Sequence, residues 1–528
     1  MSEPVLGGLL IGLMFVLFAL GVEISVALGL VGVLGLLWLK GFTVGLGVVG
    51  SIAWSNGSSF SFLAVPLFVF MSGILLHSGI GKGLYTAVAR WVSFLPGGLA
   101  VGLMFVLFAL GVEISVALGL VGVLGLLWLK GFTVGLGVVG SIAWSNGSSF
   151  SFLAVPLFVF MSGILLHSGI GKGLYTAVAR WVSFLPGGLA VASIVSCAIF
   201  AAISGSSVAT AATIGMIAIP EMERRRYYRP LIFGSLAAGG TLGILIPPSI
   251  PMIIYGVMTE TSIGHLYMAG MVPGVILALL FAAFVIGYAV MWPETAPRVA
   301  EDRGSFLDTL RSLYEVAPVA LLIVVVLGSM YAGIVTPTEA AALGSLVSLL
   351  LAAAFRTLTW RALRDAFHAT IRTTSMVMLI IIFASMFSHV IALIGAPRAL
   401  FGVVVGLGLP RWAFFTAVFV FLLLIAYALE ELSVMIIILP ILFPLVTGLG
   451  FDPIWFGIIM VIWLEIGLIT PPVGLNLFVI QNLMRGATAR DVTRGTTPYV
   501  ILMIVLVVLL FLIPDLALWL PRHMTPAR

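Results

Sequence analysis

The chain has 528 residues, of which 24 are Lys or Arg and 19 are Asp or Glu, giving a net charge of +5. Charged residues are 8% of the total, against roughly 25% in a soluble domain; hydrophobic residues are 62% and the mean hydropathy is +1.28. No water-soluble fold hides that much apolar surface, so a soluble enzyme, a nucleic-acid-binding domain and a disordered chain are excluded and a polytopic membrane protein is left.

The N-terminal part holds an internal repeat. Residues 12–101 and 102–191 are identical at all 90 positions. Structural repeats drift in sequence, so this identity indicates a very recent tandem duplication or an assembly artefact. Without one copy the working core is 438 residues long. No small-residue cleavage site follows the first apolar run, so no cleavable signal peptide is expected. Gly45, Gly47 and Gly50 spell G-x-G-x-x-G, but they lie in an apolar run with no acidic residue about 20 positions on, and the match is spurious.

A spanning helix needs about 20 apolar residues. From the second copy onward, apolar segments fall at 102–112, 114–129, 149–170, 187–203, 208–222, 231–257, 266–292, 317–335, 338–354, 373–394, 413–429, 433–447, 454–469, 471–483 and 498–513. Several are too short to span, and many are interrupted by Gly, Pro or Ser, the pattern of hairpins and discontinuous helices in transporters. The single cysteine, Cys197, lies in an apolar run and reads as a small core residue, which excludes a disulfide framework or thiolate metal site. Residues 293–316 form a polar connector. Residues 355–372 interleave Phe355, Leu358, Trp360, Leu363 and Phe367 with Arg356, Arg361, Arg364 and Arg372, which predicts a basic amphipathic helix lying in the membrane interface. Thr336 with Glu339 predicts a capping box.

An older, diverged repeat runs at an offset of 224 residues. Leu185-Pro186 matches Leu409-Pro410, Pro220 matches Pro444, and Gly243 before Pro247-Pro248 matches Gly467 before Pro471-Pro472. The SGSS run at 204–207 falls opposite Glu430-Glu431. Positive residues stay cytoplasmic, and their placement swaps between the halves. Arg224, Arg225, Arg226 and Arg229 follow the first hairpin, whereas Arg485, Arg490 and Arg494 follow the second Pro-Pro helix. The loops TETSIGH and TGLGFDP carry no Lys or Arg. This predicts an inverted-topology repeat with sites at the midplane; Arg398 and Arg411 fall on the predicted outside, against the rule.

Each half therefore offers a helical hairpin, 187–223 and 413–447, and a helix broken at Pro-Pro, 231–257 and 454–483. Proline removes an N–H and frees the carbonyl four residues back, and inside a bilayer a freed carbonyl must find a partner. A dehydrated Na⁺ is such a partner, while half-helix N-termini suit a carboxylate. The expected ion ligands are Ser204, Gly205, Ser206, Ser207, Thr210, Gly243, Pro247, Gly467, Thr470 and Pro471. The expected substrate-binding residues are Ser207, Ser249, Glu430 and Asn476. Glu465, Glu113 and its copy Glu23 are further carboxylates in apolar runs, and such residues mark function by default. No Walker A, H-E-x-x-H or G-x-S-x-G is present, so no enzyme and no organic cofactor are expected.

The segments AAISGSSVATAATIG, IPEM at 219–222, GSLAAGGTLGILIPPSIPMIIYG, TPTEAAALG and IGLITPPVGLNLFV resemble the large membrane subunit of TRAP (tripartite ATP-independent periplasmic) transporters, the DctM-like permeases. The resemblance covers the 438-residue core. It implies an all-α, inverted-repeat elevator-type transporter in the bacterial inner membrane, importing an organic acid such as a C4-dicarboxylate with Na⁺ as coupling ion. It also implies a small four-helix membrane subunit and a periplasmic solute-binding protein as partners. Two features depart from it: Trp463 stands where a small polar residue is expected near the second ion site, and the additional 90 residues have no counterpart. The alternatives are a stand-alone Na⁺/dicarboxylate symporter of the same superfamily, or an ion channel or structural membrane subunit. The expected division is an extra copy at 1–101, scaffold at 102–186, transport-domain half at 187–292, cytoplasmic connector at 293–316, scaffold with the amphipathic arm at 317–412, second transport-domain half at 413–497, and C-terminal helix and tail at 498–528.

Overall fold

The computed structural model describes residues 103–104, 107, 114–168, 170–297, 306–426, 431–470, 474–484 and 487–523. Glu113, Glu430, Pro471, Pro472 and the copy 12–101 lie outside them. The described residues fold as helices: α1 Ile114–Lys130, α2 Phe132–Gly147, α3 Ala154–His167, α4 Ile170–Trp181, α5 Gly188–Ser204, α6 Ser207–Arg224, α7 Arg229–Leu245, α8 Ile250–Met258 and α9 Ile263–Met291. Then follow α10 Phe306–Ile323, α11 Pro337–Ala354, α12 Trp360–Ile394, α13 Ala396–Gly406, α14 Arg411–Ala426, α15 Glu431–Gly448, α16 Pro453–Ile469, α17 Leu475–Leu483, α18 Ala489–Leu512 and α19 Asp515–Arg522. Among the described residues, six spans are long and apolar enough to cross a membrane, or seven if the pair α2–α3, bent by 47°, counts as one. The all-α polytopic class holds.

One group packs α12 against α1, α2 and α3, with α11 on α3. Gly119, Gly122 and Gly125 carry the α1 side of this contact. A Cβ on each would lie 2.8–2.9 Å from Phe383, Met386 and Val390 respectively, so the spacing of small residues lets two backbones approach closely, as between membrane helices generally. The other group centres on α7, which is buried along its length and packs against α5, α6, α16 and α18. Cys197 is fully buried on α5, in the core as expected.

The diverged repeat is visible in the helix boundaries. Adding 224 to the bounds of α6, 207–224, gives those of α15, 431–448; adding it to α7, 229–245, gives α16, 453–469. The capping box is also present: Thr336 N–H donates to Glu339 Oε2 at 2.8 Å and the Thr336 hydroxyl accepts from Glu339 N–H.

Three expectations change. Residues 360–372 are not a separate helix in the interface. They are the first third of α12, a continuous 35-residue helix. No Gly or Pro interrupts the chain between the Thr359 cap and Gly395, which ends the helix at φ 77°. A helix of that length is about 50 Å long, well beyond the roughly 30 Å hydrocarbon core, so its basic end projects past it. The polar connector is shorter than 293–316, because α10 starts at Phe306. Finally, α2 and α13 appear where no apolar segment was assigned; glycines, Ser141, Ser145 and Asn146 dilute the hydropathy of α2.

Candidate functional site

The first hairpin turns between α5 and α6 at Gly205 and Ser206. Gly205 adopts φ 63°, the left-handed geometry that closes a helix C-terminus, and a Cβ there would lie 3.0 Å from the Pro248 carbonyl oxygen. The hairpin tip is thus seated on the non-helical stretch 246–249 that separates α7 from α8 and contains the cis Pro247-Pro248 peptide. Gly243, on the last turn of α7, completes the contact: its Cβ would lie 2.6 Å from the Ser206 carbonyl oxygen and 2.7 Å from Thr210 Oγ1. Only glycine fits. Pro247 offers no N–H to the Gly243 carbonyl four residues back, so this acceptor has no helical donor at the point where the tip arrives.

The tip is an oxygen cluster. Ser204 Oγ and Thr210 Oγ1 lie 2.6 Å apart, and the Thr210 hydroxyl donates to the Ser206 carbonyl at 2.8 Å. Ser206 caps α6 by accepting from Ala209 N–H. Ser204, Ser207 and Thr210 are buried. Every oxygen in this cluster is neutral: Ser204 and the Gly243 carbonyl stand at the C-termini of α5 and α7, which carry partial negative charge, while Ser206 and Thr210 stand at the start of α6. That set suits an alkali cation and lacks the carboxylates or imidazoles a divalent ion requires; no group of three His, Cys, Asp or Glu is placed to hold a metal among the described residues.

The two halves meet beside this tip. Asn476, on α17, donates from Nδ2 to Ser207 Oγ at 2.5 Å and to the Ala237 carbonyl at 3.3 Å. Its Oδ1 is buried without a hydrogen-bond partner among the described residues. The two residues are 269 apart in sequence, and both are among the residues the sequence places at the substrate. Ser249 is fully buried and caps α8 by accepting from Met252 N–H. Its carbonyl accepts from the Tyr267 hydroxyl at 3.3 Å, a contact not foreseen because Tyr267 stands in an unremarkable apolar run.

Around the second break the described residues are arranged differently. The Thr470 hydroxyl donates to the Ile466 carbonyl at 2.5 Å and stays within its own helix. Gly467 packs on α14, with a Cβ position 2.8 Å from the Ala426 methyl, so it is a close-packing residue. Trp463 is buried in an aromatic cluster, 4.7 Å from Phe415 and 5.7 Å from Phe419 between ring centroids, and its indole N–H has no acceptor among the described residues. Of the expected ligands, Glu430 and Pro471 lie outside the described residues.

Residues 11–102 and, separately, 101–516 match the family described as "Tripartite ATP-independent periplasmic transporter, DctM component". The chain belongs to the DctM family. Its relatives include the C4-dicarboxylate TRAP transporter large permease protein DctM of Pseudomonas aeruginosa, 38% identical over 72% of this chain and 88% of that one. Another is the isethionate TRAP transporter permease protein DctMQ of Oleidesulfovibrio alaskensis, 32% identical over 85% of this chain and 69% of that one. The fold resembles that of the Alcanivorax borkumensis YdaH transporter, with a TM-score of 0.50 at 15% identity, covering 74% of this chain and 89% of that one. This DctM protein is therefore a multi-pass bacterial inner-membrane transporter subunit and not an enzyme.

Proposed function

We propose that this DctM protein is the large permease subunit of a Na⁺-coupled, binding-protein-dependent importer of an organic acid. The observation that carries the reading is the meeting of the first hairpin tip with the Pro-Pro stretch in a buried cluster of neutral oxygens. Ser204, Ser206 and Thr210, with the carbonyls of Gly243 and the 247–248 stretch, hold Na⁺. Ser207 and Asn476, at the contact between the halves, face the substrate. The names of the two relatives, one for a C4-dicarboxylate and one for isethionate, support a small organic acid. The family name supports a periplasmic solute-binding protein and a further, small membrane subunit as partners.

The two hairpins are re-entrant elements of an elevator domain built on α5–α9 and α14–α18, with α1–α3 and α10–α12 as its scaffold. Half-helix N-termini at Ser207 and Ile250 suit the acid's negative charge. The test is uptake into proteoliposomes containing the whole transporter. Ser206→Ala and Thr210→Ala are expected to raise the Na⁺ concentration for half-maximal uptake about tenfold, the equivalent of about 1.4 kcal/mol per lost ligand. Unchanged Na⁺ dependence in both variants removes these residues from the ion site.

A further inference from the structure

A cavity of about 440 Å³ lies between α4, the α5–α6 hairpin and Pro297, and none of the residues assigned to ion or substrate lines it. Two helix stripes form its walls. On α4, Tyr175 with Ala179 and Thr176 with Arg180 are spaced by four and share one face. On the opposite wall, Ile217, Glu221 and Arg225, at the end of α6, follow the same spacing. The helix α4 has 12 residues and is about 18 Å long, too short to cross a bilayer. It buries Leu174, Ala177 and Val178 and leaves Arg180 exposed, the pattern of a helix that lies along the membrane surface.

The lining is two-sided in its chemistry. Ala179, Leu185, Leu189 and Ile217 give it apolar walls, against which stand two guanidinium groups, Arg180 and Arg225, and one carboxylate, Glu221. Arg225 is largely buried, and its Nε and one terminal nitrogen reach the same Glu221 Oε1 at 2.9 and 2.8 Å. Arg224 reaches that oxygen too, at 2.9 Å. Glu221 therefore fixes Arg225 in place without cancelling the positive charge of the lining. The positive-inside rule puts the arginines at 224–229 on the cytoplasmic side, so the cavity lies at the depth of the headgroups of that leaflet. A positive recess with apolar walls at this depth fits an oxyanion joined to an apolar body. Anionic phospholipids have that form, and basic pockets between helices on this side of a membrane are where they bind. Arginine pairs its N–H groups with phosphate oxygens.

We propose that this cavity binds the phosphate headgroup of an anionic phospholipid, with Arg180 and Arg225 as its partners. The helix α4 belongs to the stretch assigned to the scaffold, and α5–α6 to the stretch assigned to the moving domain. A lipid held between them sets how readily the two separate; that role rests on the elevator reading above, whereas the binding itself does not.

The test reads binding without transport and without Na⁺, so the fate of the ion site does not touch it. The purified full-length protein in detergent is melted across series of added phosphatidylglycerol, phosphatidylcholine and inorganic phosphate, because a ligand of the folded state raises its melting temperature. Phosphatidylglycerol is expected to give a saturable rise, and the other two none. Arg180→Gln and Arg225→Gln are each expected to raise the half-saturating phosphatidylglycerol concentration about fivefold. Ala179→Phe, which fills the cavity and keeps both charges, is expected to abolish the saturable rise. Arg361→Gln removes a charge from the exposed start of α12 and is expected to match the parent, which controls for bulk attraction. An equal rise with inorganic phosphate or phosphatidylcholine overturns the proposal, as does a phosphatidylglycerol response in Arg180→Gln and Ala179→Phe equal to the parent's. If Arg225→Gln does not yield folded protein because Glu221 loses its partner, Arg180→Gln, at an exposed position, decides by the same outcomes.

Discussion

Gly243 sits where α7 ends, where the hairpin tip lands and where Pro247 leaves a carbonyl without a donor. A methyl at Gly243 would meet the Ser206 carbonyl and the Thr210 hydroxyl at 2.6 and 2.7 Å, and neither belongs to a flexible chain end. Gly243→Ala is therefore expected to destabilise the protein by about 1–3 kcal/mol, the usual cost of overpacking, and to weaken Na⁺-linked stabilisation, both read from melting temperatures with and without Na⁺. Gly287 is the control. Nothing lies within 4 Å of its Cβ position on α9, so Gly287→Ala is expected to be neutral or stabilising by up to about 1 kcal/mol through helix propensity. A Gly243→Ala protein as stable and as Na⁺-responsive as the parent would show that the tip does not depend on this contact. Gly467, its counterpart, meets the Ala426 methyl on α14 at 2.8 Å among the described residues, so an alanine there tests helix packing and not the first tip.

The helices show what was legible in sequence and what was not. The Pro-Pro motifs, the SGSS tip and the 224-residue offset located α5–α8 and α14–α17, because Gly, Pro and Ser act locally and their spacing survives divergence. The Thr336–Glu339 box was legible for the same reason. The long α12 was not: a change from basic amphipathic to apolar pattern reads as two elements, yet no Gly or Pro stands between Trp360 and Ile394 to interrupt the helix. Nor was the link between halves, in which Asn476 on α17 reaches Ser207 on α6, since nothing in sequence sets which side chains converge from 269 positions apart. That link is testable. Asn476→Ala is expected to cost about 1–3 kcal/mol by leaving the buried Ser207 hydroxyl unpaired. In a double-mutant cycle with Ser207→Ala the two effects are expected to fall short of additive by about 1 kcal/mol; full additivity would mean that the hydrogen bond contributes nothing.

At the scale of the whole chain, the sequence carries residues 12–101 a second time as 102–191. The family match over 101–516 is continuous without the copy 12–101, and the exact repeat of 90 residues brings no new motif. Counted from the apolar segments 102–112, 114–129 and 149–170 alone, each copy makes three crossings, an odd number, so two faithful copies in series cannot share one orientation. The structure places α2 between the second and third of these segments, and the count then turns on whether the bent pair α2–α3 is one span or two. Deletion of residues 12–101 decides the matter without the count: it is expected to leave uptake intact, and loss of uptake with protein still in the membrane would assign the copy a role. The importer itself is tested by reconstituting the permease with its small membrane subunit and supplying the periplasmic binding protein loaded with a labelled organic acid. Concentrative uptake driven by an inward Na⁺ gradient, abolished when either the gradient or the binding protein is withheld, is the predicted result; equal uptake by the permease alone, or without Na⁺, would contradict it.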